Sequence, residues 1–287
     1  MEFRRYCPAD YEAVCDFLIR LNKEERSCIN WNWARFEWMY AHPEFDAGLI
    51  SSIGLWQDKG RLVGAAIYDM YFGEAFCGVL PEYRSLYPQV LDYAWREMKD
   101  EAGLAVSVCD GNAGAIGALE AAGFHPEAQR ETVMRLSLDR LEQRPLPEGF
   151  SPAELDPVHQ AFDFQWLLWQ GFDHGTDPEE FVREDPIVPR FRPHLDGRLS
   201  LTAVAPDGGK AAYCCVWYYP GTDYAYVEPV CTVPAHRGRG LAAAILSQAL
   251  QRAKALGAKD AYVISDLGFY EKLGFETDRT YTFYRKP

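Results

Sequence analysis

One pattern occurs twice in this chain, and it limits the fold more than any other feature. Pro81, Arg84, Gly123 and Phe124 recur as Pro234, Arg237, Gly274 and Phe275. Arg84 and Gly123 lie 39 positions apart; Arg237 and Gly274 lie 37 apart. Each half presents the same order of patterns. An apolar strand runs into a proline, and an amphipathic helix, a buried strand, a short helical piece and a Gly-Phe pair follow. A single repeat of this length is a duplicated domain rather than a solenoid.

The rest of the chain fits a duplication. Residues 10–40 carry helical spacing, with Tyr11, Val14, Phe17, Leu18 and Leu21 on one face. Strands are expected near Leu49–Trp56 and Leu62–Tyr71, joined at Asp58-Lys59-Gly60. A third, near Ala75–Leu80, reaches Pro81, and a helix near Tyr87–Ala102 ends at Gly103. Leu104–Cys109 is nearly all apolar, as a buried parallel strand requires. Asn112 caps a small helix, and a last strand covers about Glu131–Leu138. Arg144-Pro-Leu-Pro-Glu-Gly149 then breaks every periodicity and reads as a linker. We place domains at 1–145 and 146–287. In the second, helices are expected near Pro157–Gly171 and Pro178–Arg183, strands near Leu199–Ala205, Ala211–Tyr219 and Tyr224–Val233. The helix Leu241–Leu256 shows an apolar stripe of Leu241, Ile245, Leu246, Ala249, Leu250, Ala253 and Leu256, and Gly257 caps it. A buried strand Ala261–Ile264, a helical piece at Gly268–Gly274 and a closing strand Thr280–Tyr284 follow.

Composition excludes several classes of function. A net charge of −13 argues against nucleic acid and anionic membranes as partners. No apolar run is long enough to span a bilayer, and no leader precedes a cleavage site. The eight cysteines form no Cys-x-x-Cys pair and stand at no zinc spacing from histidine. Free thiols, a reducing cytoplasm and no metal are expected. Aromatic residues at 14% are numerous enough to line a cavity as well as fill a core.

Chemistry concentrates in Val230-Cys-Thr-Val-Pro-Ala-His-Arg-Gly-Arg-Gly-Leu-Ala-Ala243. A strand meets a basic glycine turn that opens directly into a helix. Free N–H groups at a helix start carry the positive end of its dipole and suit a pyrophosphate. Gly238 and Gly240 let phosphate oxygens approach the backbone, and Arg237 and Arg239 add charge.

Arg237-x-x-Gly240-x-Ala242, after a strand ending in Pro234 and with Phe269-Tyr-Glu-Lys-Leu-Gly-Phe275 downstream, resembles the acyl-CoA pyrophosphate motif of the GNAT superfamily of N-acetyltransferases. The resemblance implies an α/β (α+β) chain of two tandem GNAT-like acyl-CoA N-acyltransferase folds. Each would be a mixed, mostly antiparallel sheet flanked by helices and splayed at one parallel pair. It implies acetyl-CoA as cosubstrate, held by residues 237–242: Arg237, Gly238, Arg239, Gly240, Leu241 and Ala242. The strand residues Cys231, Thr232 and Val233 would meet the acetyl group and pantetheine, with the Cys231 amide facing the thioester oxygen. Tyr270 would be the acid that protonates the leaving thiolate. From the residues themselves, Glu228 is a candidate base, set by strand alternation on the face of Val230. It is equally readable as a half-exposed strand carboxylate. Asp266, Asp173 and His174 are weaker candidates, better explained as a cap and incidental loop residues.

The halves differ where chemistry would sit. Ser85, Leu86, Tyr87 and Pro88 stand opposite Gly238–Leu241, and Leu119 stands opposite Tyr270. A tyrosine blocks a phosphate and a proline lacks the donor, so the N-terminal copy is expected to be degenerate. The leading reading is a cytoplasmic N-acetyltransferase acting on a primary amine of a small molecule. A homodimer is left open. The alternative is a non-catalytic acyl-CoA-binding or interaction module.

Overall fold

A computed structural model describes residues 1–42, 44–184 and 193–287. In chain order its elements are β1 (Glu2–Arg5), α1 (Tyr11–Glu24), α2 (Trp33–Ala41), β2 (Gly54–Asp58), β3 (Arg61–Asp69), β4 (Tyr71–Val79), α3 (Tyr87–Met98), β5 (Leu104–Cys109), α4 (Ala113–Ala121) and β6 (His125–Ser137). The order then repeats: β7 (Ser151–Glu154), α5 (Ala161–Gly171), α6 (Pro178–Glu184), β8 (Ser200–Val204), β9 (Lys210–Tyr218), β10 (Tyr224–Thr232), α7 (Leu241–Leu256), β11 (Asp260–Ile264), α8 (Gly268–Glu271) and β12 (Glu276–Lys286). The match, element for element, supports the duplication read from the landmarks.

The chain divides into two compact units, and they are not contiguous in sequence. One comprises Met1–Val133, Ile264–Asp266 and Thr277–Pro287; the other comprises Met134–Val263 and Leu267–Glu276. A linear division at 145 and 146 assigns the C-terminal strand to the second half. In the structure β12 is a strand of the first unit, paired with β5 from Tyr281↔Cys109 to Lys286↔Leu104. Asp110 fixes its entry by accepting hydrogen bonds from Thr280 Oγ1 at 2.6 Å and Thr282 Oγ1 at 2.5 Å.

Within the first unit the strand order is β1-β2-β3-β4-β5-β12. All neighbours are antiparallel except β4 and β5. The β2–β3 turn, expected over Asp58-Lys59-Gly60, is a two-residue hairpin loop of Lys59 and Gly60, both with positive φ. The first of these strands starts later than the pattern suggested, because Asp46 caps a 3-10 segment over Ala47–Ser52. Antiparallel strands need only short turns, whereas the parallel pair needs a crossover, which α3 provides. Its apolar stripe, including Val90, Leu91, Ala94 and Met98, is buried.

The second unit repeats this with β7-β8-β9-β10-β11, antiparallel except β10–β11, and with α7 as crossover. Its core joins Leu241, Ile245, Leu246 and Leu250 of α7 to Ala212, Cys214 and Val216 of β9. Gly257, at φ 119°, closes α7 and lies against the Tyr218 hydroxyl, where a Cβ would come within 2.8 Å. The edge strands β1 and β7 have four residues each and escaped the sequence reading. Runs this short carry little alternation, and Pro152 in β7 suits an edge and nothing else.

The parallel pairs place the sites. The β4–β5 ladder holds only at Glu74↔Ala105 and Ala75↔Val106. The β10–β11 ladder holds only from Tyr224↔Asp260 to Tyr226↔Tyr262. Beyond those pairs the strands part, and each unit has an opening at the carboxyl ends of its central strands, where sheets of this kind take ligands.

Candidate active site

In the second unit β10 leads into the glycine turn. The Val233 N–H donates to the Ala211 carbonyl at 2.9 Å, and one 3-10 turn, Pro234–His236, follows. Gly238 and Gly240 then take left-handed conformations at φ 76° and 78°. A Cβ at either would meet nothing within 4 Å, so backbone conformation and an open face, not crowding, select glycine there. Gly240 is the N-cap of α7 and no side chain caps it. The first helical bond runs from the Ala244 N–H to the Gly240 carbonyl at 3.0 Å. The N–H groups of Leu241, Ala242 and Ala243 thus stand at an uncapped, sixteen-residue helix start.

The two arginines divide their roles. Arg237 turns back on the protein: Nε donates to the Thr232 carbonyl at 3.0 Å, and Nη2 to the Gly171 carbonyl and Asp173 Oδ2, each at 2.9 Å. It ties the turn to the end of α5. Arg239 is exposed and forms no ion pair among the described residues. Of the pair, it is the guanidinium left available to an anion.

A bulge shapes the strand just before this turn. The β10–β9 register shifts between Val227 and Val230. Val227 lies in the α7-facing core and Val230 packs on it, although they are three positions apart. Strict alternation would put them on opposite faces, so Glu228 does not share the face of Val230 by alternation as expected. Glu228 sits inside the bulge. Its carbonyl accepts from Trp217 Nε1 at 2.6 Å and its Oε2 accepts from the Tyr226 hydroxyl at 2.7 Å. Tyr226 was unassigned in the sequence; the signal available was an i, i+2 phenol–carboxylate pair on one strand.

Tyr270 lies in α8, 7% exposed, between Phe269 and Phe275. Burial pushes its phenol well above the ordinary value, and the charge of Glu228 adds to the shift. That electrostatic link brings Glu228 and Tyr270 into one neighbourhood. The phenol is neutral throughout the physiological range and keeps a proton to donate.

The first unit supplies an internal comparison. The Phe275 N–H bonds to the Tyr270 carbonyl at 3.0 Å, and the Phe124 N–H bonds to the Leu119 carbonyl at 3.0 Å. The two turns are the same, and the fully buried Leu119 replaces the phenol. The cradle differs more. A 3-10 segment, Pro81–Leu86, runs straight into α3, and the Tyr87 N–H is already bonded to the Arg84 carbonyl. The turn is one residue shorter than its counterpart, so Tyr87, not Pro88, opens the helix. No left-handed glycine precedes it.

Other candidates fall away from this group. Cys231 is buried, with burial pushing its thiol up to about 12, and its Sγ lies 3.8 Å from the Leu167 carbonyl. A protonated, enclosed thiol is no nucleophile. Asp173 is bound to Arg237, and His174 stacks beside Trp169. Asp266 is exposed. Among the described residues no group of three His, Cys, Asp or Glu side chains could hold a metal ion.

Comparison with known proteins bears on the family and the fold. Residues 155–275 match the acetyltransferase (GNAT) family model. No curated protein matches the chain by sequence. Among solved structures, a tandem GNAT protein from the clavulanic acid biosynthesis pathway superposes with a TM-score of 0.62 at 18% identity, over 99% of this chain and 98% of that one. A GCN5-related N-acetyltransferase from Sphaerobacter thermophilus gives 0.59 at 16% identity, over 99% and 95%. A GNAT-family acetyltransferase from Colwellia psychrerythraea gives 0.59 at 12%, over the whole of both chains. At such identities these likenesses speak for the fold: a tandem pair of GNAT folds spanning the chain. The second half of this protein, matched from 155 to 275, is an acyltransferase domain of the GNAT family.

Proposed function

We propose that the second unit transfers an acetyl group from acetyl-CoA to a primary amine of a small molecule. The observation that carries this reading is the uncapped start of α7 behind two left-handed glycines, on a strand that parts from its parallel neighbour. The fit is good: the N–H groups of Leu241 and Ala242 and the guanidinium of Arg239 would hold the pyrophosphate, and Arg237 keeps the turn in shape. Cys231, Thr232 and Val233 supply the strand beside the acyl group, but the Cys231 amide expected as donor to its carbonyl oxygen lies, like that of Val233, on the side paired with β9, so the amide left facing the gap is that of Thr232. When bound, acetyl-CoA brings an activated acyl group and a thiolate leaving group.

The residues then divide the proton traffic. Glu228 accepts the proton of the incoming ammonium, so that the neutral amine forms the new C–N bond. Tyr270 gives its proton to sulfur as the C–S bond breaks, and regains one from the amine through solvent. Its raised pKa makes it a weak acid but keeps it protonated at every working pH. All eight cysteines are free, which supports a reducing cytoplasm as the setting. The test is thiol release from acetyl-CoA across a panel of small amines. Turnover with a member of the panel, suppressed in Tyr270→Phe, is expected. Thermal stabilisation by CoA with no thiol release from any amine would replace this reading with a non-catalytic acyl-CoA-binding module.

A further inference from the structure

The first unit lacks a phosphate cradle, yet it contains a cavity of about 450 Å³. The cavity opens where β4 and β5 part, between Phe76–Val79 on one side and Ser107–Cys109 on the other. These strand segments keep their outer partners, β3 and β12, and have none across the gap. Strand edges facing an open space offer N–H and C=O groups to an extended chain, the arrangement by which sheets capture peptides. The volume suits a ligand of a few residues.

The lining charges select among ligands. At the mouth Arg84 is paired with Glu25 at 2.9 Å, so the cation there is already neutralised. The body is lined by Cys28, Cys77 and Cys109, Phe76 and Ala118, without charge. Asn30, Phe76 and Ser107 also line a small adjoining recess that holds Asp69, Glu74, Glu131 and Arg35. Arg35 bridges Asp69 at 2.9 Å and Glu131 at 2.8 Å, and three carboxylates face one guanidinium. Burial, and then the charge of Asp69, raise the carboxyl of Glu74, against the opposing pull of a Gln129 hydrogen bond and of the Arg35 and Arg285 charges. The mouth therefore offers a phosphate only a cation already paired with a carboxylate, and the acidic recess at the other end favours an ammonium.

We propose that this cavity is a second binding site, for a short peptide-like amine: an extended chain of secondary amides with a cationic amino end in the acidic recess and no phosphate. The first copy thus keeps the opening between its strands while losing the anion site beside it.

Isothermal titration of the full chain tests this with L-trialanine amide, its N-acetylated form and CoA. Trialanine amide should bind with a stoichiometry of one. N-acetylation should weaken it by about tenfold or more, since one buried charge contact is worth at least 1.4 kcal/mol, a tenfold change. Ala118→Trp, which fills the cavity from α4, should abolish the binding, and Ser85→Trp, at an exposed rim position, repeats the block should the first variant not fold. Gly240→Tyr, in the other unit, should leave it unchanged. No binding of trialanine amide at millimolar concentration overturns the proposal, as does binding indifferent to both cavity variants. Equal affinity for the N-acetylated peptide, or tighter CoA binding that is lost in Ala118→Trp, overturns the ligand class.

Discussion

At the scale of single residues the account turns on Tyr270 and Glu228. On the proposed role of Tyr270 as acid, Tyr270→Phe removes an interaction formed only as the C–S bond breaks. It should lower kcat and kcat/KM together by about 100- to 10,000-fold and leave acetyl-CoA binding nearly intact. More than about a third of wild-type kcat, with chemistry rate-limiting, would assign the acid role elsewhere. Because burial raises the phenol, the wild-type profile should show no alkaline limb from Tyr270 up to about pH 10, the ordinary phenol value. An acidic limb reports deprotonation of the amine or its base, and Glu228→Gln should remove or displace it in a kcat/KM profile. Tyr270 was legible in the sequence because a Gly-Phe pair fixes its place in the turn. The face of Glu228 was not, because alternation counted through the bulge gives the wrong face, although Pro229 inside the strand run is itself the mark of a bulge.

At the scale of elements, one close approach holds α5 to β10. A Cβ on Gly171 would lie 2.5 Å from Cys231 Sγ, so this helix end reaches the strand only without a side chain. Gly171 also offers its carbonyl to Arg237, which places the glycine turn. Gly171→Ala should cost about 1–3 kcal/mol by overpacking and raise the KM for acetyl-CoA. Adding Cys231→Ala should restore much of the stability, as denaturant titration would read; equal loss in single and double variants would show that the contact is not the cause. The α7 stripe, its glycine cap and the Gly238/Gly240 turn all followed from spacing, because helix periodicity and left-handed glycine are local properties. The Gly171–Cys231 contact joins positions sixty apart in sequence and leaves no local trace. Neither does the early 3-10 run into α3, which decides that the first copy has no cradle.

At the scale of the whole chain, duplication was plain in the spacing of prolines and Gly-Phe pairs, whereas the membership of the last strand was not, since strand pairing is non-local. A chain ending at Phe275 loses β12, bares the edge of β5 and leaves Asp110 without Thr280 and Thr282. It should lose cooperative folding of the first unit and aggregate; a monomer with native circular dichroism would contradict that assignment. Burial also raises the thiols of Cys28, Cys77 and Cys231 and the phenols of Tyr11, Tyr40, Tyr270 and Tyr281. Groups raised in the folded state contribute stability that is complete below their unfolded values and declines as pH rises toward the folded ones. Through these groups Tm should therefore fall above about pH 8.5 as unfolded thiols ionise, and faster above about pH 10, while the lowered carboxyls of Asp10, Glu25, Asp110, Asp156 and Asp196 make it fall separately at the acid end. The central claim is that one of two copies handles the cofactor. Calorimetric titration of acetyl-CoA into the wild type and Gly240→Tyr tests it: a stoichiometry of one that is lost in the variant is predicted, and two sites, or one unaffected by the substitution, would contradict it.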